Sequence, residues 1–205
     1  MPPTLTPTEA ADRAWDCAVL GAGPAGALTA REVARRGARV LLLDRAAFPR
    51  YKVCGCCLNP RALGVLDRVG LGSLVPRLGG VRLNRLRLGA GRAKAGLPLP
   101  AGAAVSRTAF DTALIREAIA AGAAFLPLAN GSVEPTASGG AVRRVQVRHA
   151  AGPVTVEARV VVAATGLGGR VDDEEAAWRP GSRIGAGVVV EDAPAEYVPH
   201  AIHMA

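Results

Sequence analysis

An α/β fold with a parallel sheet is the class this sequence predicts, and three observations predict it. Asp16 to Leu20 is a short, unbroken apolar run, as a parallel strand buried on both faces requires. Gly21-Ala22-Gly23-Pro24-Ala25-Gly26 follows at once and opens a helical stretch, Ala25 to Arg36, with Gly37 as its stop. Arg39 to Leu43 then gives a second strand, which ends on Asp44. Strand, glycine turn, helix, strand and acid in that order, within ~30 residues, read as one βαβ unit.

The remaining elements follow from local signals. Residues 1–14 carry three prolines, lack an apolar run and read as a flexible N-terminal arm. Phe48 to Leu58 is a loop. Asn59-Pro60 starts a helix, with Asn as N-cap and Pro at the first helical position. It runs through Leu63 and Leu66 to Val69, and Gly70 ends it. Val81-Arg82-Leu83 and Leu86-Arg87-Leu88 alternate, but their phase slips by one residue, which predicts two strand pieces or a bulge. Ser106 to Ala121 is helical, with Thr108 and Asp111 spaced as a capping box. Val142 to His149 and Val154 to Glu157 flank a hairpin turn at Ala150 to Pro153. Arg159 to Ala164 is a strand of parallel-sheet character running into Thr165-Gly166. Asp172 to Trp178 reads as an acidic helix and Arg183 to Val190 as a strand.

Half of the 205 residues are hydrophobic, ample for a core. The formal net charge is +8, yet the only lysines are Lys52 and Lys94, the arginines are scattered, and aromatics make up 3%. A nucleic-acid binder clusters its cations with aromatics for stacking, so nucleic acid is not expected as a partner. A solvated Arg-rich surface is the plain reading, with attraction to anionic membranes or phosphorylated substrates left open. No apolar run reaches the ~18–20 residues that span a bilayer. No signal peptide is visible, so a cytoplasmic chain with reduced thiols is expected, with peripheral membrane contact open.

The chemistry lies in the glycine turn. Gly21 permits the tight turn, Gly23 lets the backbone approach a pyrophosphate, and Gly26 lets helix and strand pack closely. The helix N-terminus presents free N–H groups and partial positive charge to the phosphates. Asp44 sits where a carboxylate accepts hydrogen bonds from the adenosine ribose. A 2′-phosphate there would be repelled, which argues against NADP in this unit. His149, His200 and His203 are far from the cysteines and offer no paired motif, so no metal site is expected.

Beyond Gly26 the pattern continues as Ala30, Val33, Gly37, Val40 and Asp44, which resembles the FAD motif of glutathione-reductase-like flavoproteins. Phe48-Pro49-Arg50-Tyr51-Lys52-Val53-Cys54-Gly55 resembles the F-P-R-x-K-x-C-G loop of geranylgeranyl reductase-like flavoproteins, and Leu58-Asn59-Pro60-Arg61-Ala62-Leu63 their next helix. Ser106-Arg107-Thr108-Ala109-Phe110-Asp111 resembles their S-R-x-x-F-D, and Val161 to Gly166 their strand ending in A-T-G. The resemblance spans nearly the whole chain after Trp15. It implies a Rossmann-like FAD-binding domain of the para-hydroxybenzoate hydroxylase and glutathione reductase type, at residues 15–78 and 104–171. An interrupted, incomplete β-sheet substrate domain would begin at 79–103 and 172–205.

By the same resemblance, Gly21, Gly23 and Gly26 would cradle the FAD pyrophosphate and Asp44 would hold the adenosine ribose, with Pro24, Ala25 and Arg45 also counted as cofactor-binding. Lys52, Cys54 and Gly55 would lie near the flavin, Arg107 would reach the phosphates or ribityl, and Thr165 and Gly166 would approach the nucleotide. The implied activity is reduction of isoprenoid C=C bonds through reduced flavin, with NAD(P)H or another reductant as donor and a hydrophobic small molecule as substrate. FAD monooxygenases and halogenases share the framework, and a non-enzymatic basic binding module is the reading from another class. The family's Gly-Asp segment does not occur in this chain, so the sequence reads as the N-terminal piece of a longer flavoprotein. No catalytic residue is assigned within it.

Cys54 and Cys57 have C-x-x-C spacing ahead of a helix, which would lower a thiol pKa. Three readings stand: a packed loop with Cys54 at the flavin, redox-sensitive thiols, or metal ligands.

Overall fold

The computed structural model describes residues 1–54, 56–135, 141–166, 181 and 197–204. In chain order the elements are α1 (Pro7–Ala11), β1 (Ala14–Leu20), α2 (Pro24–Ala34), β2 (Val40–Asp44), β3 (Cys57–Leu58), α3 (Pro60–Arg68), α4 (Leu74–Arg77), β4 (Val81–Ala90) and β5 (Ala93–Ala104). Then follow α5 (Arg107–Ala120), β6 (Ala124–Pro127), β7 (Asn130–Val133), β8 (Arg143–Arg148), β9 (Val154–Ala163) and β10 (Ala201–Met204). The chain divides into two compact units, Met1–Arg50 with Asp111–Ser182, and Tyr51–Phe110 with Arg183–Ala205.

The first unit is a six-stranded sheet in the order β6-β2-β1-β9-β8-β7. Its centre is parallel: β2 pairs β1 with Cys17 opposite Val40, and β1 pairs β9 with Cys17 opposite Val160. The apolar runs predicted this, since Ala18, Val19 and Leu20 and every residue of β2 are buried. Each such Val or Leu contributes about 1.5–3 kcal/mol on burial.

Strand β9 differs from expectation. Val154 to Glu157 and Arg159 to Ala164 are one continuous strand, because no Gly or Pro interrupts Val154–Ala163 and Ala158 passes through the core. It runs antiparallel to β8 on one edge and parallel to β1 on the other.

Residues 1–14, expected as a flexible arm, are a built element. Thr6 and Glu9 form a reciprocal capping box on α1. Leu5 and Ala10 are in the core, and Trp15 Nε1 donates to Ala10 O at 2.8 Å. Thr4 exchanges hydrogen bonds with Phe125, its N–H to Phe125 O at 2.9 Å and Phe125 N–H to its Oγ1 at 2.7 Å.

The second unit is a four-stranded sheet in the order β10-β4-β5-β3. The β4–β5 hairpin shifts register between Leu83 and Arg85, where the alternation slips in the sequence. Asn59 caps α3 as expected, accepting from Ala62 N–H at 2.8 Å. Cys57–Leu58 pairs with Ala103–Ala104, which binds this segment to the hairpin within the second unit. On α5 the side chain that meets the first turn is Ser106, whose Oγ accepts from Ala109 N–H at 3.4 Å. Thr108 lies inside the helix, so the expected Thr108–Asp111 box is not its cap. The helix expected at Asp172–Trp178 and the strand at Arg183–Val190 lie outside the described residues.

Candidate functional site

At the C-terminal end of β1 the chain must turn sharply into α2. Gly21 does so with φ +105°, and its N–H donates to Leu43 O at 2.7 Å. A Cβ on Gly21 would stand 2.4 Å from Ala164 O, and one on Gly26 would stand 1.8 Å from Gly21 O. Both glycines are therefore required by the protein's own packing.

Gly23 is different. Its φ is −69°, which any residue adopts, and a Cβ there would meet only Arg50 Nη2, at an ordinary 3.6 Å. The fold leaves this position open without needing it. Gly23 is also the N-cap of α2, with no side-chain cap bond, Pro24 at the first position and no acid in the first turn. By contrast Thr6 and Asn59 cap α1 and α3 with their side chains. An uncapped helix start with roughly half a positive charge, fronted by a bare Cα, suits a diphosphate. The residues present therefore fit the group that the glycine motif implies.

Asp44 closes β2 and is 6% exposed. Its Oδ2 accepts from Ala22 N–H at 2.7 Å and its Oδ1 from Ala46 N–H at 2.8 Å. The carboxylate thus ties the glycine turn to the end of β2. A carboxylate has about four acceptor positions, so Asp44 can accept further hydrogen bonds besides these two. The same end of the sheet receives β9: Ala164 N–H donates to Leu20 O at 2.8 Å, and Thr165 Cα comes within 3.2 Å of the Gly21 Cβ position. Gly166 follows at φ +74°. Ligands of open α/β sheets bind at this edge, where the chain crosses to opposite sides of one strand.

The first unit brings together Gly21, Gly23, Pro24, Ala25, Gly26, Asp44, Thr165 and Gly166. Arg45 is exposed beside Asp44. Lys52, Cys54 and Arg107 belong to the second unit, and Gly55 lies outside the described residues. Sequence reasoning missed Arg50. Its Nη2 lies 3.8 Å from Asp44 Oδ2 and 3.7 Å from Asp111 Oδ2, and its guanidinium sits 4.8 Å over the Phe48 ring. It is the arginine of Phe48-Pro49-Arg50, so the signal was the motif itself.

In the second unit, Cys54, Cys56 and Cys57 are in the reduced, thiol form. Cys57 lies in β3, before the helix cap. Partial burial, then the neighbouring Cys56 and Cys54, push its thiol above the ordinary cysteine value, opposite to the activation expected ahead of a helix. Among the described residues no group of three His, Cys, Asp or Glu is placed to hold a metal ion. A cavity of about 440 Å³ opens in this unit, lined by Leu58, Pro60, Ala62, Leu83, Leu99 and Pro100 with Cys57, Asn59 and Gly102. None of the described helices is long and apolar enough to cross a membrane.

A family model for an FAD binding domain matches residues 14–203. The chain is 51% identical over 61 residues to a menaquinone reductase of Mycobacterium tuberculosis, a match spanning 30% of this chain and 15% of that protein. It is 45% identical over 53 residues to the geranylgeranyl diphosphate reductase of Rhodobacter capsulatus, spanning 26% and 13%. The solved structure of the myxobacterial chondrochloren halogenase CndH, an FAD-dependent halogenase, superimposes with TM-score 0.69 at 28% identity, over 78% of this chain and 39% of that one. The chain thus spans well under half the length of these proteins. Its α/β sheet is of the para-hydroxybenzoate hydroxylase type, and with residues 14–203 matched the chain belongs to the FAD binding domain family.

Proposed function

We propose that the whole protein reduces C=C bonds of an isoprenoid-type substrate, using FAD as its redox cofactor. The observation that carries this reading is the pair of local identities, 51% and 45%, to two reductases. Their named substrates, menaquinone and geranylgeranyl diphosphate, both carry isoprenyl chains. Reduced FAD supplies the hydride equivalent, while the protein's part is binding, orientation and exclusion of water. Here Gly23 and the start of α2 hold the diphosphate, and Asp44 holds the ribose. Among the described residues that line the cavity of the second unit, Cys57 is the one ionisable group, and Leu58, Leu83 and Leu99 suit a hydrocarbon segment. NAD(P)H is the proposed electron donor.

A lipophilic substrate also accounts for one charge pattern. Between Asp67 and Asp111 the sequence holds no carboxylate, while Arg82, Arg85, Arg87, Arg92 and Lys94 stand on the β4–β5 hairpin. Cations without acids are drawn to an anionic bilayer, where such a substrate resides. The second reading is oxygen chemistry, as in a monooxygenase or halogenase, and the likeness to CndH favours it.

One experiment separates the two. The whole protein is loaded with FAD, reduced anaerobically with dithionite and given a geranylgeranyl substrate in anionic or neutral vesicles. The reductase reading expects a product heavier by two hydrogens per bond, formed faster from anionic vesicles. A product that forms only with oxygen, carrying oxygen or halogen, overturns it. The flavin released on denaturation is expected to be FAD. FMN alone would contradict the Asp44 assignment, because FMN has no adenosine ribose.

A further inference from the structure

Arg50 places a cation at the glycine turn, and its surroundings show how it is kept there. Its Nη2 is the side-chain atom beside Gly23, 3.6 Å from the position of an added Cβ. The same nitrogen faces Asp44 Oδ2 at 3.8 Å and Asp111 Oδ2 at 3.7 Å. Both carboxylates are buried, while the Arg50 side chain keeps 21% of its exposure. The guanidinium lies over the Phe48 ring, and Phe48 packs edge-on against Phe125 with centroids 5.9 Å apart. Arg50 is thus positioned by an aromatic platform and two carboxylates.

The two carboxylates do not have the same work. Asp44 already accepts two backbone N–H groups and stands where the ribose is held. Asp111, on α5, is 1% exposed and is not among the residues of the glycine turn. A carboxylate at that depth is normally paired or hydrogen-bonded, and the Arg50 guanidinium stands beside it at 3.7 Å. Neither spacing is of hydrogen-bond length, so charge attraction across a gap acts at both carboxylates.

We propose that Asp111 is a positioning residue of the FAD site: it holds the Arg50 guanidinium over Gly23, where the guanidinium meets the diphosphate while Asp44 turns to the ribose. A guanidinium carries five N–H donors in a fixed fork, a geometry that serves carboxylate and phosphate oxygens alike. The assignment rests on FAD being the ligand of this turn.

The test is a set of binding titrations on the full chain freed of flavin, with FAD and with ADP as a diphosphate probe, at two salt concentrations. Arg50→Ala is expected to weaken both ligands by about tenfold or more and to flatten the salt dependence. Arg50→Lys should recover part of the loss, because charge returns without the fork. Asp111→Asn should weaken FAD several-fold in the wild-type background and add nothing in the Arg50→Ala background, since it acts through Arg50. Unchanged affinity in Arg50→Ala or Asp111→Asn overturns the proposal. So does a loss from Asp111→Asn that is equally large without Arg50, which marks a structural role. If Asp111→Asn does not fold, the Arg50 variants decide by the same criterion. Failure of the wild-type chain to bind either ligand is a separate result, and it overturns the FAD assignment together with this one.

Discussion

Asp44→Ala is expected to weaken FAD binding by about 10- to 100-fold and to lower the melting temperature of the flavin-free chain. Hydrogen bonds from ribose hydroxyls to a carboxylate contribute roughly 1.5–3 kcal/mol, and each 1.4 kcal/mol is about tenfold in affinity. The stability loss has a different origin. Asp44 is the acceptor for Ala22 N–H and Ala46 N–H, and truncation leaves both donors without it. The Ala22 donor is buried and the Ala46 donor partly so; a buried donor left unmet costs about 1–3 kcal/mol, so a fall of roughly 5 °C or more is expected for a chain of this size. As a strand-end residue Asp44 looks dispensable for folding; its two backbone contacts show otherwise. Asp44→Asn keeps one acceptor oxygen and should lose less on both scales. Flavin fluorescence titration and a thermal melt check the pair of effects, and unchanged FAD affinity removes Asp44 from the site.

Gly26→Ala and Gly23→Ala should fail in opposite ways. At Gly26 the new methyl would stand 1.8 Å from Gly21 O and 3.1 Å from Ala164 Cβ. Backbone cannot yield there without lifting α2 off β1, so the loss exceeds the ~1–3 kcal/mol of ordinary overpacking. Against a net stability of about 5–15 kcal/mol that is a severe defect. Gly26→Ala should therefore melt far below the wild type or remain unfolded. At Gly23 the methyl meets only Arg50 Nη2 at 3.6 Å, and φ −69° accepts alanine. Gly23→Ala should fold within about 1 kcal/mol of wild type and bind FAD at least tenfold more weakly, since the methyl occupies the diphosphate's approach. Melting curves of the flavin-free proteins beside FAD titrations show the contrast. A Gly23→Ala chain that binds FAD normally would place the diphosphate elsewhere.

The βαβ unit was legible because its signals are adjacent. Leu20, the three glycines, Gly37 and Asp44 each report on a neighbour a few residues away. What the sequence concealed depends on distant partners. The Thr6–Glu9 capping box was present in the sequence, but α1 becomes a fixed element only because the core around Leu5 and Ala10 includes Val156 and Ala158. Cys57–Leu58 is too short to show strand periodicity, yet it pairs with β5 in the second unit. Arg50 itself was visible within a motif, but its direction is set by Asp111, far along the chain. Ser106 and Thr108 both carry a capping hydroxyl, and only the backbone at the start of α5 selects between them.

The pairing of β1 with both β2 and β9 has a consequence for synthesis. Cys17 meets Val40 early, but its other neighbour, Val160, leaves the ribosome roughly 6–24 s later at ~5–20 residues per second. For that interval Ala18, Val19 and Leu20 present an unpaired parallel edge, a surface on which nascent chains associate with one another. Gly21 and Gly26 likewise wait for Ala164, the residue against which they pack. Most of the glycine turn is therefore translated first and packed late.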